Sequence, residues 1–457
     1  MKPIISAASA LACVALTATA AAQTPELSFD VQYRELDNGL RVVLAPDSSA
    51  PTVGIAVYYD VGSRNEVEGR SGFAHLFEHM MFQGSANVGK GEHFQHVNRN
   101  GGRMNGTTSE DRTNYFEVLP SERLGLGLWL EADRMLSLAI TEDNFENQRE
   151  VVKEERRLRV DNVPYVPGWL YFYSFAFQSF EYSHSVIGSM DDLDAAELSD
   201  VQDFFELYYA PNNAVLGLAG DFDVDEAMQQ VELYFGHIGR GVEPPPVTIV
   251  EPAQTAYLER EIEDALATSD ALIMGWHVPP MDHEDAAAID LLATIAGSGQ
   301  TSRLYSRLVT DDEIALEIEA YNESRRGPGV FTVWAVTRDS EPEAMRDAIR
   351  EEMLGLAGTI SEDELSRALE QAARSSVSRV ETNLGRAMTI ARDELYFGDP
   401  DRINSKLDSY AAVTVDDLNR VAATYFTAEN CDALIIRVAA DDDMESAGDE
   451  ANTAEAL

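Results

Sequence analysis

Cysteine is nearly missing from this chain: two occur among 457 residues, Cys13 and Cys431. The first lies in an N-terminal stretch with the marks of an export signal. Lys2 precedes an apolar run from Ile4 to Ala18, and Ala20-Ala21-Ala22 before Gln23 fits a small-residue cleavage site. Removal of residues 1–22 leaves Cys431 alone, so no intrachain disulfide can form, even in the periplasm or outside the cell where such a leader sends a protein. A competing reading takes Leu11-Ala12-Cys13 as a lipoprotein attachment site, but Ala10 fits it poorly and the apolar run before it is short.

Positive charge is also scarce. Lysine and arginine number 34 against 80 acidic residues, a formal net charge of -46. A chain of that sign repels phosphate backbones, which excludes nucleic acid as a partner. The acidity reads as a heavily solvated surface suited to salt, in preference to one tuned to attract basic peptides. Beyond the leader no uninterrupted run of about 20 apolar residues occurs, so no transmembrane segment is expected. Residues 441–457, opening with Asp441-Asp442-Asp443, read as a disordered acidic tail.

What is present is enough apolar residue, 45% of the chain, for more than one core. The cluster Pro244-Pro245-Pro246, with Pro252 beyond it, marks a stiff linker over 241–254 and divides a domain at 27–240 from one at 255–440. Each side shows the same order of signals. Strand-like Leu40 to Leu44 and Val53 to Tyr59 precede a helix ending at Gly84-Ser85, and Ile140-Thr141-Glu142-Asp143 opens a later helix. In the second half, strand-like Ala271 to Trp276 precedes a helix ending at Gly297-Ser298, and Ile360-Ser361-Glu362-Asp363 opens its successor. The two Gly-Ser pairs are offset by 213 residues, the pattern of a duplicated α/β unit.

Inside the first repeat, Phe73, Leu76, Phe77, Met80 and Met81 have helical apolar spacing, with Ser71 or Gly72 placed to start the helix and Gly84 to end it. His75, Glu78 and His79 share the opposite side. Two imidazoles four residues apart can grip one metal ion, and the carboxylate between them stands beside the water that such an ion activates. The counterparts of these three positions at the 213-residue offset are Ala288, Leu291 and Leu292, so only the first half carries the pattern. A third ligand is expected from the helix spanning Asn144 to Val160. On a helical wheel Phe145, Val151, Val152 and Leu158 form one face with Glu155 along its centre, an expensive direction for a carboxylate unless a cation compensates it. An ion pair to Arg156 or Arg159 is the other reading of Glu155, but those side chains are expected to leave the helix in other directions. The same wheel sets Gln148 beside Glu155 as a supporting group.

His-x-x-Glu-His with 75 residues between His79 and Glu155 resembles the motif of the pitrilysin, insulinase or M16 family of metallopeptidases, which includes the mitochondrial processing peptidases. Gly72 to Ser85 is similar to that family's zinc helix, and Asn147 to Glu155 to its third-ligand helix. The resemblance implies an α+β fold of two homologous α/β domains in tandem, each a mixed, mainly antiparallel sheet with packed helices. It further implies one half of a clamshell, of the short two-domain bacterial type. It implies Zn2+ held by His75, His79 and Glu155, with Glu78 as general base in hydrolysis of peptides or unfolded polypeptides. Gly101 to Thr107 is similar to the segment whose edge strand pairs with substrate, which makes Asn105 and Thr107 candidate contacts for a peptide. His93 and His96 read instead as helix-surface histidines, and His184 as a loop residue.

One departure from the family pattern stands out. Where many relatives carry an arginine and, seven residues later, a tyrosine that bind the substrate carbonyl or oxyanion, this chain has Val309 and Leu316. Arg303 and Tyr305 nearby read as residues that cap and pack the following helix. The resemblance therefore implies a heterodimer in which a homologous subunit supplies the Arg/Tyr pair. A self-sufficient homodimeric peptidase and a non-catalytic peptide-binding or assembly subunit are the alternatives.

Overall fold

The computed structural model describes residues 27–440, so the leader with Cys13 and the acidic tail lie outside it. The strands are β1 (Gln32–Glu35), β2 (Arg41–Pro46), β3 (Thr52–Tyr59), β4 (Arg103–Thr108), β5 (Thr113–Pro120), β6 (Ala214–Gly220), β7 (Leu258–Asp264), β8 (Ala271–Val278), β9 (Ala315–Glu323), β10 (Gly329–Thr337) and β11 (Asp432–Val438). The helices that concern the site are α1 (Phe73–Met80), α2 (Glu92–Arg99), α3 (Leu124–Ser137), α4 (Glu142–Arg156), α5 (Val166–Ala176), α6 (Ala286–Gly297), α7 (Glu362–Val380), α8 (Asn383–Phe397) and α9 (Arg402–Ala411). Among the described residues no helix is long and apolar enough to cross a membrane.

The strands form two mixed, mainly antiparallel sheets, in the orders β1-β2-β6-β3-β5-β4 and β7-β11-β8-β10-β9. In the first, β2 and β6 run parallel and every other pairing is antiparallel. In the second, β7 and β11 are the parallel pair. Apart from β1 the two orders coincide, so β4 and β9 are equivalent free edges.

Both sheets are covered on both faces, and period-two alternation sorts the side chains. Along β3, Val53, Ile55, Val57 and Tyr59 enter the first half's own core, which also holds Phe73, Leu76, Phe77 and Met80 of α1. Ala56 and Tyr58 face the other way and meet Ala387, Ile390 and Ala391 of α8, a helix from the second half. The reverse holds for β8. Leu272, Met274 and Trp276 fill the second core, while Ala271 and Ile273 pack on Phe172 and Ala176 of α5, a helix from the first half. Each half thus covers the back of the other's sheet. The approach is close enough to need glycine, since a Cβ on Gly217 would sit 2.4 Å from the Ala387 carbonyl oxygen. Residues 241–254 form neither helix nor strand. The sheets follow the sequential division made by that linker, whereas α5 and α8 cross it.

Candidate metal centre

The helix carrying the histidines is fixed at its start by a distant carboxylate. Its N-cap, Gly72, has φ of 89° and no side chain to offer. Glu66 accepts hydrogen bonds from the Gly72 and Ala74 amides at 2.9 and 2.7 Å, taking two donors that a helix start leaves open. Burial pushes the Glu66 carboxyl above its ordinary range. His184 Nε2 lies 2.9 Å from Glu66. Burial is the largest single influence on that imidazole and opposes its charge, but the hydrogen bond and charge of Glu66, joined by hydrogen bonds to the backbone of Phe180 and Ser63, together raise its pKa.

The third acidic residue arrives on α4, which Thr141 caps through the Asn144 amide. α1 and α4 pack together, and His75, His79 and Glu155 meet between them, with their ligand-type atoms all within 4.8 Å of one another. Glu155 Oε2 is 3.1 Å from His79 Nε2 and 3.8 Å from His75 Nε2. Ligands about 2.0–2.1 Å from a tetrahedral zinc ion stand about 3.3 Å apart, so these spacings and the two-nitrogen, one-oxygen donor set fit such an ion. The imidazole rings lie edge to face, 4.8 Å between centroids. Burial, aided by His79 and Arg159, pushes the His75 pKa down to about 3, which keeps its ring in the neutral form that binds metals.

Glu78 occupies the same cleft. Thr108, at the end of β4, donates its hydroxyl to Glu78 Oε2 at 2.6 Å. Burial raises the Glu78 pKa, and the Thr108 hydrogen bond works against that rise. β4 forms the edge of the first sheet beside this group. Asn105 is exposed on it. Thr107 is tied down: its hydroxyl donates to Asn114 at 2.5 Å and accepts from Arg112 at 2.7 Å.

Several expectations need correction. Val151 and Leu158 are exposed, at 41% and 61%, so the buried face of α4 is Phe145, Gln148 and Val152, and Glu155 borders it. Arg159 does reach Glu155, with Nη1 2.8 Å from Oε1. Residues four apart lie about 40° apart on a helical wheel, so Arg159 shares a face with Glu155, and the pair persists into the π-helical turn Arg157–Asp161. The i, i+4 spacing was the available signal. Gln148 is buried, but its amide donates to Asn147 at 2.9 Å instead of supporting Glu155. His93 is no surface residue: it is fully buried, with Nε2 3.1 Å from the Leu130 carbonyl oxygen. His96 is half-buried against Trp129.

In the second half, Val309 packs against the core and Leu316 is half exposed on β9. Arg303 is committed to the start of α7, with Nε 2.6 Å from Glu364 and Nη1 2.8 Å from the Thr359 hydroxyl. Tyr305 packs on the second core.

The likeness to known proteins agrees with this architecture. The profile "Insulinase (Peptidase family M16)" matches residues 41–171, and "Peptidase M16 inactive domain" matches residues 195–372. A curated relative, zinc protease PqqE of Helicobacter pylori, is 32% identical over 86% of this chain and 89% of its own length. The chain belongs to peptidase family M16, in its short two-domain form. Among solved structures, a protease from Helicobacter pylori superposes with a TM-score of 0.84 at 31% identity, covering 90% of this chain and 99% of that one. The periplasmic protease PqqL from Escherichia coli shares the fold, with a TM-score of 0.72 at 19% identity. There the match covers 90% of this chain and 48% of PqqL.

Proposed function

We propose that the chain is a zinc-dependent endopeptidase acting on peptides or unfolded polypeptides, exported to the periplasm or beyond. The observation that supports this most is the meeting of His75, His79 and Glu155 at coordination spacing with Glu78 in the same cleft. Zinc held there supplies Lewis-acid polarisation of a carbonyl and acidifies water. Glu78 is the general base: Thr108 occupies Oε2, so the proton of the attacking water is taken at Oε1 and later given to the leaving amine. Burial raises the basicity of this carboxylate, which suits it to that exchange near neutral pH. The open edge of β4 supplies main-chain hydrogen bonds to an extended substrate, with Asn105 as a side-chain contact. Glu78→Gln should keep one zinc per chain and lose about 10²–10⁴-fold in cleavage of an unfolded peptide. Cleavage at the wild-type rate would refute the assignment.

The active form is a heterodimer with a homologous subunit. Val309 and Leu316 offer no hydrogen-bond donor where an oxyanion-binding pair is needed, and Arg303 is engaged elsewhere. The chain also spans about half of PqqL, in keeping with one half of a larger enclosure. The isolated chain should bind zinc and cleave poorly, gaining about 10²–10³-fold when a homologue carrying the Arg/Tyr pair is added. Equal activity with and without that homologue would favour the self-sufficient peptidase.

A further inference from the structure

The second repeat retains a cleft where the first has its metal centre. α6 follows β8 as α1 follows β3, α6 packs on α7 as α1 packs on α4, and β9 holds the edge that β4 holds. Between them lies a cleft of about 1070 Å³ whose walls include Ala288 and Ser375. Ala288 is the repeat counterpart of His75, and aligning the openings of α4 and α7 places Ser375 opposite Glu155. The position is conserved in space and stripped of ligands.

Three helices bring cations to it instead: Arg379 from α7, Arg392 from α8, and Arg402 and Lys406 from α9, while Arg420 at the rim is paired with Asp285. Arg392 is matched by Asp393 at 2.7 Å. Among the described residues neither Lys406 nor Arg379 has a carboxylate oxygen within 4.0 Å. The Lys406 ammonium rests 5.5 Å from the centre of the Tyr410 ring. Nearby acids keep their charge but are held by neutral donors, out of ion-pair reach of Lys406. Asp290 accepts from Tyr410 and Asn322 at 2.9 and 2.8 Å, Glu323 accepts from Tyr173, and Asp417 accepts from Thr414. Asp282 and Glu284 also line the cleft, from the loop before α6, and Asp393 stands beside Arg392 on α8, so the cations without a partner are confined to the wall formed by α7 and α9. Burial pushes the Lys406 pKa down, Arg392 adds to the effect and Asp290 opposes it. Lys406, partly buried in the cleft wall without an ion-pair partner, carries a cost that an anionic ligand would offset, and the exposed Arg379 stands at the same cleft.

We propose that this cleft is a second binding site, which takes the carboxylate groups of a peptide against Lys406 and Arg379. The volume far exceeds that of a lone inorganic anion, and the neutral polar wall of Gln371, Ser375 and Ser376 suits a polypeptide. The proposal rests on the peptidase reading only for the nature of the chain that bears the carboxylate.

The test uses the full chain carrying Glu78→Gln, loaded with zinc, and calorimetric titration with three peptides. One is glutamate-rich with an amidated C-terminus, one is its glutamine counterpart with a free C-terminal carboxylate, and the third is the glutamine counterpart amidated. At least one carboxylate-bearing peptide should bind about tenfold more tightly than the third, and which one does so identifies side chain or terminus as the source. Lys406→Met and Arg379→Gln should each abolish that preference while leaving zinc content unchanged. Arg379 is exposed, so its variant serves even if the Lys406 variant fails to fold. Equal binding of all three peptides, an undiminished preference in Arg379→Gln, or binding of inorganic phosphate alone would overturn the proposal. Since binding is read directly, a wild-type chain that cleaves nothing would leave this result standing.

Discussion

Glu66 and Glu117 are both fully buried carboxylates in the first half, and their surroundings give them opposite consequences. Glu66 has two backbone amides and an imidazole as partners, so Glu66→Ala should cost about 2–4 kcal/mol in denaturant unfolding by stranding those donors at the start of α1. Glu66→Gln, which keeps one acceptor oxygen, should lose less. A loss below the noise of the measurement in Glu66→Ala would show that water replaces the cap. Glu117 has neither oxygen hydrogen-bonded. Burial, reinforced by Glu131 and opposed by Arg134, pushes its pKa up to about 8. The folded state therefore holds a proton that the unfolded chain releases near the ordinary glutamate value of 4.5. Stability is fully present below that value, falls as pH rises toward about 8, and levels off above it. Glu117→Gln should flatten the slope between pH 5 and pH 8; identical slopes in both proteins would exclude Glu117 as its source. At this scale His75, Glu78 and His79 were legible in the sequence because one short helix carries them. Glu66 was not, since its bonds to α1 leave a loop and its partner His184 lies 118 residues away.

The period-two and helical patterns located β3, β8 and the opening of α4 because each of those elements buries a face that its own spacing reveals. The same method misplaced Val151 and Leu158: Val151 lies at the border of the narrow buried stripe of Phe145, Gln148 and Val152, and Leu158 falls in a π turn that no ideal wheel contains. It also missed the exchange of α5 and α8. Amphipathic spacing shows that a helix has an apolar face and is silent on which sheet receives it. Gly217 probes that contact. Gly217→Ala should destabilise the chain by about 1–3 kcal/mol, because the added carbon meets the α8 backbone. Gly239→Ala, at a position with open space around it, is the matched control. Equal urea midpoints for the two variants would mean that α8 yields at no cost.

For the molecule as a whole, the crossed helices predict that the linker is dispensable as a covalent tie. A protease cut within residues 241–254 should leave two fragments that co-elute under native conditions and part only in denaturant. Fragments separating in plain buffer would show that the two interfaces are too weak to act alone.

Crossed coverage also sets a schedule for folding. The first sheet is complete in sequence at Gly220, yet the helix that shields its back begins at Asn383. At about 5–20 residues per second, the ribosome takes roughly 10–30 s to supply it. During that interval an apolar surface of the nascent protein stays uncovered, so neither half can reach its final state before synthesis is nearly done. A chain built this way leaves the ribosome without its final packing and acquires its shape only once Asn383 to Phe397 has emerged.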